Sequence, residues 1–267
     1  MLHGGVLSGW TGDDADLERR LAIATEELRA LDPDVIGVQE ASAGPGRGDV
    51  AGRLAGALGY RFVRAPALFR ITPWRPFNDL VGWLMRFTEG PAILSRYPIA
   101  DTAAHDLPLC NGRFDPRVVV YAAIATPWGT VPAFSAHLSW GACEAADLAA
   151  FVRDRRAALP GVLLGDFNAV AESPEMRRLV DEAGLVDAFG VAGEGRGETV
   201  WQDPGRATRT VGRRVDFVFV APGSAASARV VESRVVLDQP RRLPDGGFLW
   251  PSDHYGVLAR LALEGLG

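Results

Sequence analysis

Acidic, amide and imidazole side chains lie at the ends of several short strands that the sequence predicts. They are Glu40, His137, Asp166, Asn168, Asp216, Asp253 and His254. Asp166 and Asn168 lie two residues apart in an extended stretch, so their side chains can address one point. Carboxylates and imidazoles transfer protons and hold metal ions in catalytic sites. A lone Asp or His at a strand end is usually structural, but this many at successive strand ends favour a catalytic site.

Helix and strand signals alternate along the chain and must position these groups. Apolar residues at three- and four-residue spacing predict a helix over residues 14–31, and a strand over residues 35–38 leads into Gln39 and Glu40. Further helices are predicted near 49–58, 142–159 and 174–183, and further strands over 92–95, 118–125, 131–136, 162–164, 215–220, 229–237 and 255–263. We expect one mixed α/β domain over residues 1–267, with most strands in two packed sheets.

Residues 66–88 are unusually rich in aromatic and large apolar side chains, and Pro73 and Pro76 interrupt them. This composition predicts a long loop or a short helix. Two interpretations stay open. The segment is a flap packed over the core, or it is a lid whose residues 69–87 contact an apolar substrate or a membrane surface.

The charge balance and the cysteine count exclude few functions but set expectations. The chain carries 28 basic and 33 acidic residues, and every basic residue is an arginine. A net charge of −5 lacks the basic field of a non-specific nucleic-acid binder, although a local arginine groove can coexist with it. No apolar run is long enough to span a membrane and no signal peptide is visible, so we expect a cytoplasmic protein with Cys110 and Cys143 as reduced thiols.

Short motifs, in chain order, resemble those of the endonuclease/exonuclease/phosphatase superfamily, which includes deoxyribonuclease I and exonuclease III. They are Gln39-Glu40, Gly90-Pro91-Ala92-Ile93-Leu94-Ser95-Arg96-Tyr97-Pro98-Ile99, His137-Leu138, Gly165-Asp166-Phe167-Asn168, Arg214-Val215-Asp216-Phe217-Val218-Phe219 and Ser252-Asp253-His254. Their order and spacing match from about residue 17 to 263. The resemblance implies an α+β fold, a four-layer α/β/β/α sandwich like that of deoxyribonuclease I, and metal-dependent cleavage of a phosphate ester.

The resemblance also implies roles for the matching acids. Glu40 matches the principal metal-binding glutamate, and Asp253 matches an acid that binds the metal directly or through water. The expected metal is Mg²⁺, with Mn²⁺ as an alternative, because both accept hard oxygen ligands. Asp166 and Asn168 match the pair that orients the attacking water and holds the scissile phosphate.

The remaining matches concern two histidines, their carboxylate partners and one arginine. His254 matches the histidine at the scissile phosphate, a general base or a donor to the phosphoryl oxygen, and Asp216 matches the acid that fixes its tautomer. His137 matches a second active-site histidine, which we pair with Glu89. Arg117 is a candidate phosphate ligand, and a plain surface charge is an equally open interpretation.

The start of the chain departs from the family pattern. The family begins with a core strand whose final asparagine contributes to the metal and phosphate site, and that strand would end just before Met1. Two readings stay open: the native protein extends upstream of Met1, or the fold lacks its first core strand.

These observations favour a Mg²⁺-dependent phosphoesterase, foremost a phosphodiesterase, in which metal-activated water attacks phosphorus. Lipid, small-molecule and nucleic-acid substrates all stay open. The aromatic segment favours an amphiphilic ester, the net charge disfavours nucleic acid, and arginines at 206, 209, 213 and 214 can bind a polyanion or simply face solvent. The alternative function is a catalytically impaired scaffold or binding protein that retains the fold, and its support is the missing asparagine.

Overall fold

Helices and strands alternate along the part of the chain that the computed structural model describes, residues 16–45, 47–67, 70, 72–110, 112 and 115–265. The helices are α1 (Leu17–Leu31), α2 (Val50–Leu58), α3 (Arg75–Leu84), α4 (Ala145–Arg153), α5 (Pro174–Ala183) and α6 (Ala188–Ala192). The strands are β1 (Val35–Val38), β2 (Ala43–Gly44), β3 (Gly48–Asp49), β4 (Arg61–Arg64), β5 (Ala92–Ser95), β6 (Ile99–Asp106), β7 (Val118–Thr126), β8 (Gly129–His137), β9 (Gly161–Asp166), β10 (Val186–Asp187), β11 (Asp216–Ala221), β12 (Ser227–Val236), β13 (Arg241–Arg242), β14 (Phe248–Leu249) and β15 (Gly256–Glu264). The question of a strand before residue 16 falls outside these residues.

The largest sheet has six strands in the order β10-β11-β9-β8-β7-β6. β8 and β9 run parallel, and the other neighbours run antiparallel. Strand β7, next to the edge strand β6, is almost continuously apolar because both of its faces are covered. Val119 packs on one face among residues of α4 and α5, while Val118 and Val120 pack on the other against the second layer of strands.

The second layer of strands consists of two smaller sheets that pack against the large one. One has the order β1-β5-β4 and the other pairs β12 with β15, all antiparallel. Ile93 of β5 packs among residues of β7, while Val230 of β12 packs against Val218 and Val220 of β11. These buried apolar contacts hold the two layers of strands face to face.

Helices cover both outer faces. Phe151 of α4 and Leu179 of α5 are buried against the large sheet, and Leu28 of α1 and Leu54 of α2 are buried against β1 and β5. The resulting layers are helix, strand, strand and helix, which confirms the predicted α/β/β/α sandwich.

The aromatic segment is packed only in part. Phe87 is buried, whereas helix α3 and its N-cap expose apolar side chains, with Trp74 and Trp83 exposed by 65% and 73%. Phe77, Leu80 and Leu84 are exposed on the same helix. Phe69, at the start of the predicted contact segment, lies outside the described residues. The described helix therefore presents an apolar surface rather than filling the core.

The expectation of two reduced thiols is wrong. Cys110 and Cys143 form a disulfide whose Cα atoms are 6.1 Å apart, and 33 positions separate the two residues in sequence. The bond joins the loop that follows β6 to the loop that follows His137. Disulfides persist mainly in oxidising compartments, so this bond counts against the cytoplasmic location, which stays a prediction. Among the described residues, no helix has the length and apolarity needed to cross a bilayer.

We predict that the disulfide stabilises the folded chain. In the double variant Cys110→Ser/Cys143→Ser, the free energy of unfolding should fall by about 2–4 kcal/mol, because the unfolded chain regains the entropy of a loop of this length. Denaturant unfolding measures the change, and the wild type in excess reductant should match the variant. Equal denaturation midpoints for oxidised wild type and variant would contradict the prediction.

Candidate active site

Three candidate residues lie side by side because of the strand register of the large sheet. His137 ends β8, Asp166 ends β9 and Asp216 begins β11. Asp166 is the direct cross-strand partner of His137 on one side and of Asp216 on the other. Directly opposed residues share one face of a sheet. The register therefore brings three groups that are distant in sequence to one edge.

His254 reaches this edge from the loop that precedes β15, in the other layer of strands. Its Nδ1 lies 3.0 Å from Asp216 Oδ2, a hydrogen bond, and 3.8 Å from Asp166 Oδ2. The pairing of His254 with Asp216 is the geometry that the sequence predicted. A carboxylate on Nδ1 fixes the orientation of the ring and leaves Nε2 as the atom that can address a ligand.

Asn168 is held between β8 and β9 in a left-handed backbone conformation, with φ at 50°. Asparagine tolerates this conformation better than most residues. Its backbone N–H donates to Asp166 Oδ1 at 2.8 Å, and its side-chain Nδ2 donates to the carbonyl of Leu138 at 2.9 Å. Nδ2 also lies 3.1 Å from His137 Nε2. Asn168 therefore joins Asp166, through its backbone, and His137, through its side chain, in one hydrogen-bonded network.

The electrostatic environment raises the pKa of Asp166 to about 7. Burial is the largest cause, and the charge of Asp216 adds to it, while the charge of His254 and the N–H of Asn168 act in the opposite direction. The charge of Glu40 raises the pKa further. The site thus concentrates more negative charge than its own imidazoles offset, as expected where a cation binds.

The same environment raises the pKa of His254 to about 9. Burial alone would lower this pKa, but the hydrogen bond to Asp216 and the charges of Asp216, Asp166 and Asp253 outweigh burial. At neutral pH the ring is therefore an imidazolium, with both nitrogens acting as donors.

Glu40 and Glu89 approach from the ends of β1 and β5. Glu40 has φ at 52°, an uncommon conformation for a glutamate. The N–H of Ala41 donates to the carbonyl of Gly90 at 2.9 Å, so Glu40 and Glu89 flank one backbone bond. The side chain of Gln39 donates to Ser135 Oγ on β8 at 3.1 Å, which ties this edge to the large sheet. The predicted pairing of Glu89 with His137 stays a prediction.

Asp253 is anchored by its neighbours. The indole Nε1 of Trp201 donates to Asp253 Oδ2 at 3.1 Å, and Ser252 Oγ donates to Oδ1 at 3.1 Å. The backbone N–H of Gln202 donates to the Asp253 carbonyl at 2.7 Å. These bonds fix the residue beside His254, on whose ring its charge acts.

Arg117 precedes β7 at the same edge of the sheet. The register pairs Val119 with Ala136, so Arg117 lies level with the end of β8 that carries His137. Its guanidinium contacts Asp115 at 2.9 Å, and its buried Nε has no hydrogen-bond partner among the described residues. A buried donor without an acceptor suits an anionic ligand, but the role predicted for Arg117 stays a prediction.

A metal ion fits the chemistry of this site. Asp166, Asp216 and His254 bring potential ligand atoms within 4.8 Å of one another. While His254 is an imidazolium, the two carboxylates are the members of this set that can bind a cation. Glu40 and Asp253, the ligands expected from the sequence, are not members of this set, although their charges act on it. A second set, Cys110, Cys143 and Glu144, offers no thiolate because its cysteines are disulfide-bonded.

Sequence reasoning missed residues that support the site from a distance. Thr199 Oγ1 accepts the backbone N–H groups of Val215 and Asp216, each at 3.3 Å, and so fixes the first residue of β11. Trp201, which holds Asp253, was also missed. Both lie in an irregular loop, where no periodicity or spacing marks a residue for such a contact.

Comparison with known proteins adds an independent finding. The family model described as Endonuclease/Exonuclease/phosphatase family matches residues 3–254. No match was found among curated proteins.

Solved structures show the same fold. An endonuclease/exonuclease/phosphatase family protein from Leptotrichia buccalis has a TM-score of 0.69 at 16% identity, covering 96% of each chain. A mannosyl-6-phosphatase from Bacteroides thetaiotaomicron has a TM-score of 0.68 at 20% identity, over 96% of this chain and 94% of its own. The human Nocturnin catalytic domain, with a bound sulfate anion, has a TM-score of 0.65 at 19% identity, over 97% and 91%. At these identities the likeness concerns the fold alone.

We predict that His254 titrates near pH 9 in the metal-free protein. Histidine-ring NMR in the presence of EDTA should show this pKa. The variant Asp216→Asn should lower it, because the ring loses the charge of its hydrogen-bond partner while burial still favours the neutral form. The His254→Gln spectrum assigns the resonance. A midpoint at or below 6.5 in the wild type would contradict the prediction.

Proposed function

Because the chain belongs to the endonuclease/exonuclease/phosphatase family, we propose that it is a divalent-metal-dependent hydrolase of phosphate esters, foremost a phosphodiesterase. The observation that carries the proposal is the convergence of Asp166, Asp216 and His254 at one edge of the large sheet. A binding scaffold has no need for a buried acid whose pKa is raised beside an oriented imidazolium. This geometry therefore favours catalysis over the scaffold alternative.

We propose that Glu40 and Asp253 hold the metal, with Mg²⁺ as the expected ion and Mn²⁺ as an alternative. When bound, such an ion offsets the charge of the phosphate and of the transition state and activates water. Hard carboxylate oxygens are the ligands that Mg²⁺ prefers.

The two titratable groups divide the proton chemistry. We propose that His254, an imidazolium at neutral pH, donates from Nε2 to a phosphoryl oxygen, while Asp216 fixes the ring. Asp166 is the acceptor for the proton of the attacking water, because a carboxylate with a pKa of about 7 is near the optimum for a general base at neutral pH. Asn168 and His137 orient the Asp166 carboxylate and contact the phosphate. Arg117 contacts the phosphate from the start of β7.

We predict hydrolysis of bis(p-nitrophenyl) phosphate that EDTA abolishes and Mg²⁺ restores. The variant His254→Ala should lower kcat/KM by about 10²–10⁴-fold, because a proton donor at the phosphate is lost. His105→Ala is the matched control, since His105 Nε2 forms a 2.6 Å pair with Asp147 of α4 and takes part in none of the contacts proposed for catalysis.

Two outcomes would decide against the assignment. Activity that survives both EDTA and His254→Ala would place the chemistry elsewhere. A folded protein that binds Mg²⁺ but hydrolyses no phosphate ester would support the scaffold alternative.

The apolar surface of α3 supports an amphiphilic ester as substrate, presented at a lipid–water interface. Trp74 and Trp83 lie near the two ends of the helix with exposed Leu80 and Leu84 beside them, and tryptophan favours such interfaces. The two ends of the segment lie together next to the candidate residue Glu89, since the N–H of Ala67 donates to the Glu89 carbonyl at 2.8 Å. Nucleic acid is the competing substrate, and the net charge of −5 disfavours it.

We predict that the protein binds phosphatidylcholine/phosphatidylglycerol vesicles through α3. The double variant Trp74→Ser/Trp83→Ser should weaken binding in co-sedimentation by about tenfold or more, because exposed indole area no longer enters the interface. Trp128→Ser, an exposed tryptophan in the β7–β8 turn, is the control. Vesicle binding that is equal in all three proteins, or dimerisation that the double variant abolishes, would contradict the proposal.

A further inference from the structure

We propose that Trp140, Arg213 and Trp201 form a subsite for a ring, a sugar or a nucleobase, that is covalently attached to the scissile phosphate. This inference rests on the proposed function, since it assigns the group next to the phosphate. The three residues are called the tryptophan–arginine rim below. None of them belongs to the motifs that identified the catalytic groups.

Trp140 borders the His137 and Asn168 side of the site. It follows Leu138 and Ser139 at the end of β8, and the N–H of the next residue, Gly141, donates to the Asn168 carbonyl at 3.5 Å. The indole is exposed by 58%, although the two residues before it are buried. A large apolar ring is therefore presented to solvent next to the catalytic amide.

Trp201 contacts Asp253, the residue before His254. Its indole N–H is engaged by Asp253 Oδ2, which fixes the orientation of the ring, yet the side chain is exposed by 58%. A tryptophan whose polar atom is satisfied and whose ring stays in solvent has a preformed face for stacking. Holding the ring in place before binding lowers the entropy cost of the contact.

Arg213 connects the ring of Trp140 with the loop that carries Trp201. Its guanidinium lies over the Trp140 ring, 5.1 Å from the ring centre. Its backbone pairs with Val200, the residue before Trp201, through bonds of 3.0 and 3.1 Å. Asp216 follows only a short stretch later in the chain. Arg213 therefore places a cation between the ring of Trp140 and the loop of Trp201, three residues before Asp216, and this cation suits an anionic ester.

Ring stacking is the chemistry that such a rim provides. Indole faces stack on nucleobases and on the apolar faces of sugars, and a guanidinium adds cation–π and phosphate contacts. The other exposed tryptophans among the described residues lie in different settings. Trp128, for example, lies at the β7–β8 turn, the end of β8 opposite His137, with its ring edge against Tyr97.

The test compares esters that share one leaving group, p-nitrophenolate, and differ in the retained group: methyl, glucose linked through O6, or thymidine linked through O5′. We expect kcat/KM of at least one ring-bearing ester to exceed that of the methyl ester by about tenfold or more in the wild type. This ratio should fall toward one in Trp140→Ala and in Trp201→Ala, and it should stay at the wild-type value in Trp128→Ala. The sugar and thymidine arms identify the ring.

A binding measurement keeps the inference separate from the proposed catalysis. Tryptophan fluorescence in EDTA is titrated with thymidine 5′-monophosphate, with glucose 6-phosphate and with inorganic phosphate. At least one ring-bearing ligand should bind about tenfold or more tightly than inorganic phosphate, and Trp140→Ala should remove the difference. If no ester is hydrolysed, the proposed function fails, while this titration still tests whether the tryptophan–arginine rim binds a ring.

Two results would overturn the inference. One is a wild-type ratio near one in both measurements. The other is a ratio that neither Trp140→Ala nor Trp201→Ala changes, including a uniform loss of activity toward all three esters.

Discussion

The site depends on the register that sets Asp166 of β9 opposite Asp216 of β11. Two carboxylates on directly opposed positions repel each other, and burial strengthens that repulsion because less water screens it. The fold tolerates the arrangement because His254 lies beside both as an imidazolium. A shift of one residue in either strand would turn the carboxylates to opposite faces of the sheet and dissolve the cluster. The same excess of negative charge makes a divalent cation the natural complement.

The hydrophobic core, rather than the polar groups themselves, fixes the positions of the side chains in this cluster. Apolar side chains between the two layers of strands set the distance from which Glu40 and His254 reach the large sheet. The bond from Gln39 to Ser135 repeats that constraint next to the site. The disulfide acts on a neighbouring loop: Cys143 precedes Glu144, whose carboxylate accepts the Ser139 N–H just after His137. Rigid elements thus carry the groups that must meet a substrate.

Strand cores were predictable from the sequence because buried strands need apolar, β-branched residues, and β1 and β5 have the predicted bounds. The edge strand β6 was not predicted, because its partly exposed residues Ile99–Asp106 combine alanine, threonine and charged side chains. The disulfide escaped prediction because two distant cysteines carry no geometric information in sequence. The contact of Trp201 with Asp253 joins residues 52 positions apart through irregular loops, and only tertiary structure brings them together.

The environment, rather than residue type, sets the protonation of the two central groups of the site. A histidine with its ordinary pKa would be able to accept a proton at neutral pH, and a surface aspartate would stay ionised. Here the hydrogen bond to Asp216 and the surrounding charges raise the pKa of His254 above neutrality, while burial and Asp216 raise the pKa of Asp166 to about 7. The two changes are coupled, because each group is the other's nearby charge. Removing the Asp216 charge would lower the pKa of His254 directly. For Asp166 the lost repulsion from Asp216 would be opposed by the lost positive charge of His254. Asp216 therefore sets the protonation of His254 directly and that of Asp166 both directly and through His254.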